Sequence, residues 1–395
     1  MVKKNREIKP DIETFAKIKV VGVGGSGGSA INRMVSNRIR GVDFIAINTD
    51  AQALNTSKAK ENVQIGLETT KGLGAGMDPD IGARSAEENI ENIEKVLDGS
   101  DMVFITCGLG GGTGTGAAPI IADIAKNQDA LTVAVVTRPF SFEGAQRKSI
   151  AERGLAELES RVDTIITIPN DRILNIIDRK TSLLDSFKTV DEVLYQGIQG
   201  ISEIITVPGL VNVDFADVKA IMVDAGSALM GIGKATGEDR AKRAAKEAID
   251  SPLLDVSIAG AKGILFTVTG GNDLTMYEVN EIAEIITASA DGNAKIIFGT
   301  VIDESLKGEI KVMVIATGFE SFNLSAKEVR KSSAMPYSPN SYMNKTRVEQ
   351  VEDKDDEDIV NDGIEDGEED EYIEDDSDKV QNDLDIPAFI RRKMK

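Results

Sequence analysis

An α/β fold is predicted: a doubly wound parallel sheet, joined by a long central helix to a smaller α+β domain, with an acidic tail beyond both. Three observations carry that expectation. Short apolar runs alternate with helical spacing from about residue 18 to 169, as strands and crossover helices do in a parallel sheet. Over 182–206, Phe187, Val190, Leu194, Ile198, Ile201 and Ile205 recur at intervals of three or four, so this helix is buried along its length. From about residue 323 the pattern dissolves into polar and then acidic sequence, too poor in apolar groups to pack. The boundaries follow: a flexible N-terminus at 1–14, a first domain at 15–181, the helix at 182–206, a second domain at 207–320, a disordered acidic linker at 321–382 and a terminal peptide at 383–395.

In chain order, Ile18, Lys19, Val20 and Val21 form a strand, followed by GxGxxG at 22–27 and a helix. The strand at 43–50 ends in Asp50, some 20 residues beyond the glycines, which is the layout of a nicotinamide-binding half. A further loop with Gly72, Gly74 and Gly76 precedes a charged helix over about 81–97. Then comes the apolar run 101–107 and a loop with six glycines in the nine residues 108–116, which opens another helix. Consecutive glycines let backbone approach a ligand, and the helix start directs N–H groups and the positive dipole end at it. Three such loops at the carboxyl edge of one sheet exceed what a dinucleotide needs and suit a triphosphate held by backbone amides. No GxxxxGK[ST] occurs, so the usual phosphate-binding lysine is missing. Strands at 131–136 and 164–169 continue the sheet. In the second domain, strands are expected at 263–270, 294–302 and 309–317, with helices over 239–249 and 277–288.

Composition narrows the chemistry. The net charge is −21, but residues 352–385 alone hold 19 acids and 2 bases, so the body is nearly neutral. No basic stripe with aromatics suits nucleic acid. Histidine is absent, and Cys107 is the single cysteine, placed at a strand end where it reads as core. Catalysis is therefore left to carboxylates, backbone and a metal ion. The polar N-terminus is no signal peptide, and no apolar run is long enough to span a membrane; a reducing cytoplasm is expected.

The motifs GGGTGTG at 110–116, NTDAQALN at 48–55, TRPFSFEG at 137–144, NVDFAD at 212–217 and DIPAFIRR at 385–392 stand in the order of one known family. Over about 15–320 and the last 13 residues, the chain resembles the FtsZ family of the tubulin superfamily, the GTPases of bacterial cell division. The resemblance implies GTP as substrate with Mg²⁺. It places Gly24, Gly25, Ser26, Gly27, Ser29, Asn48, Gly74, Ala75 and Gly76 at the nucleotide. It adds Gly108, Gly110, Gly111, Gly112, Thr113, Gly114, Thr115 and Gly116 around the phosphates. Glu143 and Arg147 would lie by ribose and phosphates, with Asn170, Phe187 and Asp191 at the guanine. Without it, Glu143 and Arg147 read equally well as an i,i+4 surface pair, and Asp191 as an exposed helical acid. Asn212, Asp214 and Asp217 match the family's catalytic loop, although two aspartates three apart are ordinarily a turn or a helix cap. Ser26, Ser29 and Asp78 depart from the family's usual glycine and asparagines.

From Asp191 to Pro208 is about 25 Å of helix at 1.5 Å per residue. If Asp191 meets the base, Asp214 and Asp217 reach only the nucleotide of a neighbouring subunit, which implies a head-to-tail homopolymer. At the far end, Asp385, Ile386, Pro387, Phe389, Ile390, Arg391 and Arg392 resemble the family's peptide for membrane-tether and regulator proteins, which implies a place beneath the membrane at mid-cell. Two rivals stand beside this reading. A nicotinamide dehydrogenase explains 22–27 and Asp50 but leaves the later glycine loops without a role. A nucleotide-regulated scaffold would bind GTP and scarcely hydrolyse it.

Overall fold

The computed structural model describes residues 16–319, except residues 179, 208, 212, 255 and 256 and the side chain of Leu183. The expectations for 1–14, Asn212, the linker and the terminal peptide, with Asp385, Ile386, Pro387, Phe389, Ile390, Arg391 and Arg392, lie outside the described residues.

The first half runs β1 (Ile18–Val23), α1 (Gly24–Ser36), β2 (Val42–Asn48), α2 (Ala51–Asn55), β3 (Glu61–Gln64), α3 (Leu67–Thr70), α4 (Pro79–Glu87) and α5 (Ile90–Leu97). It continues with β4 (Met102–Gly108), α6 (Thr113–Asn127), β5 (Leu131–Arg138), α7 (Ala145–Glu159), β6 (Thr164–Pro169) and α8 (Asn170–Ile173). After α9 (Leu183–Thr206) come α10 (Phe215–Met222), β7 (Gly226–Thr236), α11 (Arg240–Ile249), β8 (Gly263–Gly270), α12 (Met276–Thr287), β9 (Lys295–Ile302) and β10 (Glu309–Thr317). The strand order is β3-β2-β1-β4-β5-β6-β7-β10-β8-β9. β1 to β6 pair in parallel, and β7 joins β6 in parallel over Thr164–Gly226 to Ile166–Ala228. Beyond it β10 runs antiparallel to β7 and β8, while β9 is parallel to β8. One ladder thus passes from the first half into the second.

Alternation along each strand feeds two layers. Ile18 and Val20 pack toward α1 and α9, whereas Val21 and Val23 pack toward α5 and α6. A third core joins α11 and α12 to the outer face of β8 and β10. Cys107 is fully buried in the second layer, and burial alone pushes its thiol up to about 12, so it is an inert core residue.

Three local differences from the expected elements have tertiary causes. The charged helix over 81–97 is two helices, α4 and α5, parted at Glu88 and Asn89. The Glu88 carboxylate accepts from the amides of Glu68 (2.9 Å) and Thr69 (3.3 Å) at the start of α3, and those bonds hold its pKa below the usual range. β3 was not anticipated: its sequence ENVQ buries only Val63 at the sheet edge. The second strand stops at Asn48, and Asp50 caps α2 by accepting from Gln52 (2.8 Å) and Ala53 (3.2 Å). Its carboxylate is therefore engaged with its own helix.

The main glycine loop rests on α4. A side chain at Gly116 would overlap the Pro79 carbonyl and meet the Ala83 amide at 2.7 Å. Gly116→Ala is expected to cost about 1–3 kcal/mol by overpacking, read as a lower urea midpoint at unchanged slope. Wild-type stability in that variant would mean that the α4–α6 contact yields freely.

α9 is the longest helix, capped by the Ser182 hydroxyl accepting from the Asp185 amide at 3.1 Å. Its last turn is tied to the turn before β2. Thr206 packs on Gly41, where a Cβ would collide, and its hydroxyl reaches the Arg40 carbonyl at 3.4 Å. Gly41 also needs its positive φ of +75°.

Candidate functional site

A cleft of about 700 Å³ opens at the carboxyl ends of β1, β2, β4, β5 and β6 and is walled on one side by α9. Of the residues expected at a nucleotide, Gly25, Ser26, Ser29, Asn48, Gly74, Ala75, Gly76, Gly108, Gly111, Gly112, Thr113 and Gly114 line it. Glu143, Arg147, Asn170, Phe187 and Asp191 line it as well. Gly24, Gly27, Gly110, Thr115 and Gly116 do not, and each is engaged in the frame behind. Gly24 makes the turn at φ +72° beside Gly114, and Gly27 abuts the Gly22 backbone and the Thr106 carbonyl. Gly110, at φ +98°, packs on the Arg147 carbonyl and donates its N–H to the Thr115 hydroxyl at 2.9 Å.

The cleft has two chemically distinct ends. At one end the N-termini of α1 and α6 converge, and neither helix has a side-chain cap. The leading N–H groups of each first turn have no intrahelical acceptor, so they present donors and a positive dipole end to an anion. Cross-bonds hold these loops together. The Gly108 amide donates to the Ser26 hydroxyl (2.8 Å), and the Thr49 and Thr113 hydroxyls share a bond of 2.6 Å. Ser26 is thereby a strap between two glycine loops, with its hydroxyl proton still available. Asp78 caps α4 through the Asp80 amide (3.0 Å) and does not line the cleft.

At the other end stand Asn170, Phe187 and Asp191. Phe187 is 42% exposed and stands near-perpendicular to buried Phe140 with centroids 5.7 Å apart, so this end of the cleft has an exposed aromatic surface suited to a flat ligand. The Asn170 side-chain oxygen is buried with no hydrogen-bond partner. Asp191 is half-buried, and its carboxylate makes no hydrogen bond or salt bridge within the described residues. Burial raises its pKa to about 6, opposed by the charge of Arg33, whose guanidinium is paired to Glu192 at 3.2 Å. Two unsatisfied acceptors facing one cleft call for a ligand edge rich in N–H donors. Between the two ends, Glu143 and Arg147 form the i,i+4 pair at 2.6 Å and still border the cleft, so both readings of them describe the same geometry.

Thr49, Asp50, Met77, Leu109, Thr137, Pro139, Val190 and Leu194 also line the cleft and were not among the residues expected at GTP. Val190 and Leu194 share the helical face of Phe187 and Asp191, a signal that the pitch alone carries.

Asp214 and Asp217 are not in the cleft. Asp214 caps α10, accepting from the Asp217 amide at 2.8 Å, and both carboxylates are exposed. The preceding Val211 bridges Thr300 of β9. Gly41, against which α9 ends, precedes the amino end of β2, while Asn48 at its carboxyl end borders the cleft. From Asp191 to Thr206 is about 22 Å of continuous helix at 1.5 Å per residue. The acidic loop and the cleft therefore lie toward opposite ends of the sheet.

The fold and this cleft define a nucleotide-binding protein without a P-loop lysine. The model of the tubulin/FtsZ family GTPase domain matches residues 17–178, and that of the FtsZ family C-terminal domain matches 226–320. Among solved structures, the empty FtsZ dimer from M. jannaschii is similar at 49% identity and TM-score 0.74, over 77% of this chain and 88% of that one. A single-site mutant of FtsZ from M. jannaschii gives 49% identity and TM-score 0.75, over 78% and 92%. CetZ2 from Haloferax volcanii, a GTPγS-bound protofilament, shares the fold at 23% identity and TM-score 0.66, over 76% and 92%. The chain belongs to the FtsZ family, and it is a GTPase. Among the described residues no helix is long and apolar enough to cross a membrane.

Proposed function

We propose that this chain polymerises head to tail into the filaments of a cell-division ring and hydrolyses GTP at each junction between subunits. The observation that carries the reading is the separation of two half-sites along α9. One half, the cleft, has donors for a polyphosphate and acceptors for a base. The other, Asp214 and Asp217, opens α10 beyond the far end of α9, and in this reading it meets a ligand held by another copy. Both ends carry exposed apolar side chains that an assembly would cover: Leu73 (87%) and Phe142 (64%) beside cleft residues, and Leu210 (73%) beside the acidic loop. The empty FtsZ dimer of M. jannaschii is a relative seen with a second copy.

In this reading guanine stacks on Phe187, Asp191 accepts from its N1–H and 2-amino group, and Asn170 accepts from the same edge. The amides of Gly111, Gly112 and Gly114 and the hydroxyls of Ser26 and Thr113 hold the phosphates, where charge develops as the γ-phosphate leaves. Asp214 and Asp217 of the adjoining copy orient the attacking water and take its proton. Among the described residues no group of three or more His, Cys, Asp or Glu is placed to hold a metal ion. The cleft's amide donors suit the phosphates and not a cation, so a magnesium ion would be carried in on the triphosphate, with hydroxyl oxygens such as that of Thr113 as the protein groups that could ligate it. When bound it would neutralise charge on the β- and γ-phosphates. The terminal peptide 383–395 is proposed to dock on membrane-tether and regulator proteins, which puts the filament beneath the membrane at the division site.

The test is phosphate release from GTP, with ATP and NAD as controls, over a range of protein concentrations. Specific activity is expected to rise steeply above a threshold and to be selective for GTP. Equal specific activity at very low and high concentration would sink the shared-site reading, and GTP binding with negligible turnover would favour the scaffold.

A further inference from the structure

β5 and β6 stay in register to their last pair, Arg138 with Pro169, and then part. From β5 the chain enters residues 139–144, which carry Glu143 along one wall of the cleft. From β6 it enters α8, whose first residue is Asn170. A cavity of about 180 Å³ lies between the two segments, lined by Pro139, Phe140, Ser141, Pro169 and Asp171 among others; buried Phe140 packs the loop on the core beside Ile168 and Ile173, and beyond it the gap is left to polar contacts. A polar clasp crosses it. The Asp171 carboxylate accepts from the Ser141 amide at 2.9 Å with one oxygen and from the Ser141 hydroxyl with the other. Within the loop, Glu143 accepts from the Phe140 amide at 2.8 Å and from Arg147 at 2.6 Å, which ties the loop to the start of α7. Neither Ser141 nor Asp171 lines the nucleotide cleft.

We infer that Asp171 is a positioning residue for the nucleotide: by gripping Ser141 it holds the loop of Glu143 and the helix of Asn170 at one fixed spacing across the cleft. The inference rests on the proposed reading of that cleft. Bonds to a charged carboxylate are stronger than neutral ones, and two from one residue also fix orientation. With the clasp open, the orphan acceptor of Asn170 loses its alignment with the base edge, while the phosphate amides on α1 and α6 stay where they are.

The test measures affinities for GDP and IDP, which differ by the 2-amino group, together with turnover at saturating GTP. Asp171→Ala is expected to weaken GDP binding about tenfold, the scale of a lost charge-assisted bond. IDP should weaken less, so that part of the GDP-over-IDP preference is lost, and turnover at saturating GTP should stay within about twofold because the water-orienting acids are untouched. Asp171→Asn keeps an acceptor for the Ser141 amide and should retain most of the affinity. Ser141→Ala added to Asp171→Ala should cost little more than Asp171→Ala alone, as residues of one contact couple. Equal weakening of GDP and IDP with a lowered unfolding midpoint would reduce the clasp to a structural tie, and unchanged affinities would remove it altogether. A wild-type protein with no preference for GDP over IDP would overturn the reading of the cleft itself, which is a separate result.

Discussion

Replacing Asp191 by asparagine is expected to weaken guanine-nucleotide binding by roughly 10²-fold or more, the scale for losing a charged acceptor of two hydrogen bonds. The same change should make the nucleotide-free protein more stable at pH 7 to 8. Both effects come from one fact: the carboxylate is half-buried without a hydrogen-bonded partner, and burial raises its pKa to about 6. In the unfolded chain it titrates near 3.9. Between those values the folded protein holds a proton that the unfolded chain has released, so its stability falls as pH rises through the window and stays lower above it. Asparagine has no such charge to desolvate. In the proposed reading guanine binding runs the other way, since Asp191 must be ionised to accept both hydrogens, so wild-type affinity should drop as pH falls below about 6. Titrating GDP affinity from pH 5 to 8, beside urea midpoints for both proteins at pH 5 and 7.5, checks each sign. Wild-type affinity in Asp191→Asn, or no gain in its midpoint at pH 7.5, would show that the carboxylate is not the unsatisfied acceptor its surroundings make it.

How much of this was legible beforehand depends on whether a signal is local. The glycine loops were readable because backbone freedom, helix start and apolar run all lie within one short stretch, and α9 was readable because its stripe persists over seven turns. The parting of α4 and α5 was not, because it is decided by the Glu88 carboxylate reaching α3, some twenty residues away. β3 was hidden for the same reason: a four-residue edge strand with one buried side chain has almost no pattern of its own. Asp50 was ambiguous, since an acid after a strand and glycines suits a ligand as well as a helix cap, and here it caps α2 while bordering the cleft. Asn170, Phe187 and Asp191 reach one cleft from two helices, and only the resemblance joined them in advance. Spacing cannot bring together residues whose approach is set by how α8 and α9 dock on the sheet.

Asp217→Ala is expected to leave GTP binding nearly intact and to lower hydrolysis by ~10²-fold or more, the scale for losing a water-activating group. Binding survives because Asp217 is exposed near the far end of α9 and touches no residue that lines the cleft's two ends. Asparagine in its place should recover little, since an amide can position a water but cannot take its proton. The proposed shared site has a sharper consequence. A subunit with Asp191→Ala keeps its acidic loop but holds no nucleotide, and a subunit with Asp217→Ala holds nucleotide but has lost the acid. Each alone should be nearly inactive. Mixed in equal amounts above the assembly threshold, some junctions pair the intact cleft of one with the intact acid of the other. Phosphate release from the mixture should therefore exceed the sum of the two separate proteins severalfold, and should return to that sum on dilution below the threshold. Activity that never exceeds the sum, in a mixture shown by sedimentation to contain both variants in the same filaments, would mean that cleft and acid act within one chain despite the helix between them.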